Sequence, residues 1–253
     1  MKLQDSVIAI TGGGQGLGRA MGEYLAARGA KVALIDLMPE KLDDAVTACV
    51  AAGSEARSYV CNVAKEEDVE RTFEAIVKDF GHLNGLINNA GILRDGLMVK
   101  VKDGEVERRM GLSQGQAVID VNRTGVFLCG REAATQMIKN GDQGAIINIA
   151  SISRAGNMGQ SNYSAAKAGV SALVPVWAKE LARYGIRCMG IAPGFIETEM
   201  TASMKPEALE KMTSGMPLKR MGKPEEIASA AAFIFENDYM SGRMLEVDGA
   251  LRL

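Results

Sequence analysis

Seven short runs of apolar, β-prone residues recur along the chain, at 7–10, 31–35, 56–60, 85–88, 145–150, 187–192 and 244–247. Between them, residues 17–28, 39–52, 66–80, 111–140, 161–184 and 224–235 carry the spacing of amphipathic helices. Runs this short and this continuously apolar fit strands covered on both faces, as in a parallel sheet with helices above and below. Pro39 and Pro224 suit the first turn of the helices they open, where a missing N–H costs nothing. Strict alternation of strand and helix predicts the α/β class, a doubly wound parallel sheet of about seven strands with helices on both faces. The 253 residues are 47% hydrophobic, enough for one large core, and no low-complexity linker interrupts them, so 1–253 reads as a single domain. In such sheets ligands bind beyond the carboxyl ends of the strands, which directs attention to the residues that follow each run.

Charge and cysteine usage exclude several classes. A net charge of −2 without a basic cluster gives no footprint for nucleic acid. No apolar stretch reaches the roughly 18 residues needed to cross a bilayer, and the start, Met1-Lys2-Leu3-Gln4-Asp5, has no charged-then-apolar leader, so a cytoplasmic protein without a membrane partner is expected. Cys49, Cys61, Cys129 and Cys188 are scattered without a CxxC pair, so buried free thiols are expected, with no metal site and no disulfide. His82, the only histidine, falls at the entry of the fourth strand, which leaves no base for Ser-His-Asp or Cys-His catalysis unless His82 supplies it.

The first run leads into Thr11-Gly12-Gly13-Gly14-Gln15-Gly16-Leu17-Gly18, and a helix follows. Bare backbone at Gly12, Gly16 and Gly18, with Gln15 and Leu17 between, can turn tightly and approach a pyrophosphate held at a helix N-terminus, which makes the fold Rossmann-type. The spacing is GxxxGxG rather than GxGxxG, and a purely structural strand-to-helix turn would also use it. Asp36 ends the second strand, where a carboxylate can bond the adenosine ribose hydroxyls and repel a 2′-phosphate; it could equally cap the helix that follows. On this reading the cofactor is NAD(H), with NADP(H) not excluded. Asn62 and Val63 after the third strand, and Asn89, Ala90 and Gly91 after the fourth, stand at the next strand ends, where amides suit adenine and ribose.

Tyr163 and Lys167 stand four residues apart in a helical pattern, so both side chains share one face and the ammonium can favour the ionised phenol. With the glycine turn, Asn88-Asn89-Ala90-Gly91, Asn122, Ser151 and Pro193-Gly194, the chain resembles the short-chain dehydrogenase/reductase family, over nearly its whole length and in the family's order. The resemblance implies that Tyr163 is the general acid/base, that Ser151 holds the substrate oxygen, and that Lys167 tunes the phenol and binds the nicotinamide ribose beside Tyr163. It implies further that Asn122 tethers a water relaying protons from Lys167, and that Pro193, Gly194, Ile196 and Thr198 contact the nicotinamide end. The chemistry agrees: hydride transfer to a carbonyl carbon leaves an alkoxide, which needs a proton donor and a hydrogen-bond donor, and Tyr163 and Ser151 are of those types. A catalytically silent dinucleotide sensor would have lost some of these residues.

Within the family, 192–200 and Gly249 resemble the 3-oxoacyl-[acyl-carrier-protein] reductases, which implies an acyl-thioester substrate and reduction of a ketone to a secondary alcohol. The alternative is an NAD-dependent dehydrogenase of a sugar, a steroid or a small diol. Where NADP users of the family place a basic residue, this chain has Gln15, Asp36 and Leu37. Where carrier-protein reductases present arginines it has Leu128 and Tyr184, with Arg123, Arg131 and Arg183 close by. Residues 194–217 are read as a mobile lid covered by Met200, Met204, Met212 and Met216, or as a plain amphipathic surface helix. The charged stretch 102–110 is read as an insertion, either a solvated excursion or a rim that screens substrates. The family's habit of pairing the helices at 111–140 and 161–184 across a dimer interface, with the C-terminal residues 248–253 joining a second, implies a homotetramer.

Overall fold

Strand β1 (Val7–Thr11) carries its side chains in alternation: Ile8 and Ile10 enter one apolar layer, Val7 and Ala9 the opposite one. β2 (Lys31–Asp36) repeats the pattern with Val32 and Leu34 on the first side, Ala33 and Ile35 on the second. A strand buried on both faces has no polar side to reveal its period, which is why these runs read as continuously apolar. The computed structural model describes residues 1–197 and 213–252.

Along the chain follow α1 (Gly16–Ala26), α2 (Pro39–Ala51), β3 (Ala56–Val60), α3 (Glu66–Phe80) and β4 (Gly85–Asn88). A hairpin of β5 (Val99–Lys102) and β6 (Glu105–Arg109) precedes α4 (Leu112–Ile119), α5 (Val126–Asn140), β7 (Gly144–Ile149) and α6 (Ser161–Leu181). β8 (Ile186–Pro193), α7 (Pro224–Glu236) and β9 (Met244–Val247) complete the described elements. The main sheet has seven strands, all parallel, in the order β3-β2-β1-β4-β7-β8-β9. One face packs on α1, α2 and α7 through residues such as Leu25, Leu42 and Phe235; the other packs on α3, α5 and α6 through Phe73, Met137 and Trp177. The expected doubly wound sheet is what forms. Pro39 and Pro224 begin α2 and α7.

Two elements depart from the expectations. The helix read over 111–140 is two helices joined by a π-helical segment, Asp120–Gly125, which contains Asn122. The charged stretch is a two-stranded ribbon that turns at Asp103 and Gly104, both at positive φ. Every residue of β5 and β6 is exposed, so the ribbon stands off the body, as suits a solvated excursion and a substrate rim alike.

The strand order reverses beside β1: β2 lies on one side and β4 on the other. Crossovers leave in opposite directions there, and the crevice they open lies at the carboxyl ends of β1 and β4.

Candidate active site

Because β1 and β4 are neighbours, the glycine turn and Asn89-Ala90-Gly91 meet at that crevice. Thr11 and Asn89 lock the loops together. Thr11 Oγ1 accepts the N–H groups of Asn89 and Ala90, each at 3.0 Å, and Asn89 Nδ2 donates to the carbonyls of Thr11 at 3.1 Å and Gly12 at 3.2 Å. Gly12 has φ +64° and a Cβ there would lie 2.9 Å from Ala90 Cα; a Cβ on Gly18 would lie 2.0 Å from the Gly12 carbonyl oxygen. Side chains are excluded at both places, so the turn presents bare backbone. α1 begins at Gly16 with no side-chain cap from Gln15, leaving its first N–H groups free to meet an anion.

A cleft of about 430 Å³ runs from this turn past Gln15, Leu17, Asp36, Asn62, Val63 and Ala90. A second of about 290 Å³ is walled by Ser151, Tyr163, Lys167, Pro193, Gly194 and Ile196. Leu17, Asn89, Gly91 and Ile92 line both, so the two form one trough spanning the sheet from the ends of β2 and β3 to those of β7 and β8. An elongated ligand with a charged middle fits it, and a nicotinamide dinucleotide has that shape. Of the residues expected at the cofactor, Thr198 lies outside the described residues, as do Met200, Met204, Met212 and most of 194–217; Met216 is buried.

Asp36 joins the two alternatives read from the sequence. Its Oδ1 accepts the N–H groups of Leu37 at 2.7 Å and Met38 at 3.3 Å, steadying the entry to α2. Its Oδ2 accepts the N–H of Gly14 at 3.1 Å, so the carboxylate also braces the glycine turn while lining the cleft.

At the other end, Ser151 follows β7, and its Oγ accepts the Ser153 N–H at 3.1 Å, starting a 3₁₀ turn at Ile152–Ala155. The same hydroxyl faces Tyr163 and pulls the phenol's pKa down, but burial is the larger influence and holds it above the ordinary value, and the Asp95 carboxylate adds to the rise. Lys167 is 3% exposed. Its Nζ donates to the Ile149 carbonyl at 2.7 Å and sits 5.7 Å from the centre of the Tyr163 ring. Burial lowers its own pKa to about 8. Ser151 supplies a downward influence on the phenol, and the Lys167 ammonium donates to a backbone carbonyl while lying beside the Tyr163 ring.

Asn122, fully buried in the π segment, spends its side chain on one partner: Oδ1 accepts the Ile92 N–H at 2.8 Å and Nδ2 donates to the Ile92 carbonyl at 3.0 Å. It thereby ties the α4–α5 junction to the loop after β4.

Several residues of this region carry no local signal. Thr11, Ile92, Asp95, Gln160 and Asn162 all act through partners far away in sequence; only Thr11, next to the glycine turn, stood where a reader might look. His82 stands at the amino end of β4, away from the trough, with Nε2 3.2 Å from the Asp5 carbonyl. The four cysteines are free and buried. No metal-holding group of His, Cys, Asp and Glu occurs among the described residues, and no helix among them is long and apolar enough to cross a membrane.

The family model described as enoyl-(acyl carrier protein) reductase, of the short-chain dehydrogenase/reductase type, matches residues 12–251. The chain belongs to the short-chain dehydrogenase/reductase family, and it is an oxidoreductase acting on CH–OH groups with a nicotinamide dinucleotide. It is 39% identical over 254 residues to the 3-oxoacyl-[acyl-carrier-protein] reductase FabG of Thermotoga maritima, covering 99% of each chain. It is 36% identical over 262 residues to the (3R)-3-hydroxyacyl-CoA dehydrogenase of Rattus norvegicus, covering 99% of this chain and 98% of the other. Among solved structures it resembles an NAD⁺-bound xylitol dehydrogenase, with a TM-score of 0.88 and 30% identity over 99% of this chain and 100% of that one.

Proposed function

We propose that this protein is an NAD(H)-preferring reductase of 3-oxoacyl thioesters, in which Tyr163, Ser151, Lys167 and Asn122 form the catalytic group. The observation that carries the reading is the half-buried Tyr163 phenol, which shares a wall of the trough with Ser151 and Lys167 and is held in its protonated form. When bound, the nicotinamide supplies or accepts the hydride. Tyr163 gives its proton to the oxygen that becomes the alcohol, and the Ser151 hydroxyl holds that oxygen at the end of β7. Lys167, a buried ammonium with a pKa of about 8, stands ready to pass a proton inward at neutral pH. Asn122 fixes the loop that carries Ile92, and with it the wall shared by the two halves of the trough.

Asp36 supports NAD(H) over NADP(H), since a 2′-phosphate at the end of β2 would face a carboxylate already aimed into the cleft. Full-length likeness to a carrier-protein reductase and to a coenzyme A dehydrogenase supports the thioester. Arg131 gives little support to docking of an acidic carrier on α5, because Glu66, Glu70 and Glu132 already neutralise it. A second reading, NAD-dependent oxidation of another secondary alcohol such as a sugar alcohol, is favoured by the likeness to xylitol dehydrogenase. We further propose a cytoplasmic homotetramer.

Acetoacetyl-CoA with NADH and with NADPH, followed at the nicotinamide absorbance against the Tyr163→Phe protein, tests the proposal. The expected result is Tyr163-dependent turnover that is faster with NADH, while Tyr163→Phe still binds NADH. Preference for NADPH overturns the role of Asp36, and full activity in Tyr163→Phe overturns the catalytic assignment. Turnover of alcohols alone moves the protein to the second reading.

A further inference from the structure

Local support for the N-terminus of α6 is slight: Asn162 Oδ1 accepts the Tyr163 N–H at 2.8 Å. Gln160, its first flanking residue, makes no side-chain cap, and there is no acidic residue in the first turn. Tyr163 stands in that first turn, so whatever holds the helix start also holds the phenol. The hold comes from the segment after β4. Gly96 N–H donates to the Gly159 carbonyl at 2.8 Å, and the Asn162 amide donates to the Arg94 carbonyl at 3.0 Å. Gln160 Nε2 donates to Asp95 Oδ2 at 2.8 Å, while its Oε1 accepts the Asn157 amide at 3.1 Å. From the far side, Gln114 Nε2 donates to the carbonyls of Arg94 at 2.8 Å and Asp95 at 3.3 Å. Asp95 thus brings to the open, positive end of α6 the carboxylate that the helix itself lacks.

We propose that Asp95 is a positioning residue for Tyr163: clasped by Gln160, its carboxylate fixes the start of α6 and with it the place of the phenol. Among the described residues, the Lys167 ammonium lies 5.7 Å from the Tyr163 ring centre on the same helix, and the Asp95 carboxylate acts on the phenol from the loop after β4; Ser151, from the end of β7, contributes an uncharged hydroxyl. A negative charge from Asp95 makes loss of the phenolic proton harder, and the Gln160 clasp sets where that charge sits. The proposal rests on reading Tyr163 as the proton donor, but not on the identity of the substrate.

The test is a titration of ¹³C-labelled tyrosine by NMR, with the Tyr163 signal assigned by its absence in Tyr163→Phe, joined to the pH profile of reductase turnover. Asp95→Asn keeps an oxygen for Gln160 and removes the charge. Its Tyr163 midpoint is expected to fall by about half a unit to one unit, with the alkaline limb of kcat falling alongside and KM nearly unchanged. Asp95→Glu is expected to restore the wild-type midpoint, and it reads the same proposal if Asp95→Asn folds poorly. A midpoint that is the same in wild type and Asp95→Asn, or one that Asp95→Glu displaces as far as Asp95→Asn does, overturns the proposal. The titration needs no substrate, so failure of acetoacetyl-CoA to turn over would overturn the thioester reading and leave the role of Asp95 decided by the midpoint.

Discussion

Lys167 shows how a single buried charge links function to stability. The ammonium titrates near 10.5 in an unfolded chain and near 8 in the folded protein, because burial penalises the charged form. Below about pH 8 it is charged in both states and the folded state bears the whole penalty. Between 8 and 10.5 the unfolded chain binds more protons, so raising the pH relieves the penalty, and above 10.5 it is gone. At about 1.4 kcal/mol per unit, the ceiling is roughly 3 kcal/mol, reduced by the hydrogen bond to the Ile149 carbonyl that a replacement would forfeit. Lys167→Met is therefore expected to lose turnover yet unfold at higher denaturant concentration than wild type at pH 6.5, with the advantage shrinking at pH 9.5. An equal difference at both values would show that the ammonium is not the source. At this scale the sequence carried much of the candidate site, because a four-residue step puts Tyr163 and Lys167 on one helical face whatever the rest does. It did not carry Asp95 or Gln160, which meet across 65 residues and match no local pattern.

At the scale of elements, legibility followed burial for β1, β2 and β4 but not for β3, which was read as a strand covered on both faces although none of its residues is buried. The runs at β1, β2 and β4 were plain in the sequence because both faces of each strand are buried, so nothing polar interrupts them. The β5–β6 ribbon was not read as strands, although Val99-Lys100-Val101-Lys102 alternates and Asp103-Gly104 is a strong hairpin turn, because its charges point to a solvated stretch. The π segment had no signal at all: Asp120 and Gly125 at its ends keep helical dihedrals, and the bonds of Asn122 to Ile92 tie it to the loop after β4. Full exposure of the ribbon leads to a prediction. Replacing residues 99–109 by a short Gly-Ser turn removes the Lys100–Glu107 ion pair and the contact of Arg108 with Gln114, but no buried side chain. Losses of that kind amount to about 0.5 kcal/mol, so Tm is expected to move by no more than about 2 °C, and NADH binding to stay as it is. A larger loss of stability would mean that the ribbon is packed against something in solution. Changed selectivity among acyl chain lengths, with Tm intact, would make it a substrate rim.

For the whole molecule, the alternation of strand and helix implied a parallel sheet covered on both sides, while the strand order depends on which crossovers turn which way and no single segment encodes it. What the sheet leaves outside is as informative as what it buries. On the face opposite α1, α2 and α7, the outer sides of α5 and α6 enclose a groove of about 250 Å³ between Phe127, Ala134, Ile138, Trp177 and Leu181. Gly130 lets the helices close there: a Cβ on it would lie 2.4 Å from the Trp177 ring. Phe127 and Val176 are nevertheless 45% and 47% exposed, and Ile138 39%. A second copy related by a two-fold axis would cover this self-complementary apolar strip, with Glu180 and the Arg131 carboxylate cluster at its rim. One such interface closes a dimer, and the proposed homotetramer needs a second, at residues 248–253; light scattering at micromolar concentration is expected to give four times the protomer mass, and Val176→Glu to give a smaller species. Because assembly stabilises by mass action, Tm of the wild type should rise with protein concentration and that of Val176→Glu should not. A wild type that remains monomeric, or a Val176→Glu protein of unchanged mass, would mean that the α5–α6 strip faces water and that any assembly uses another surface.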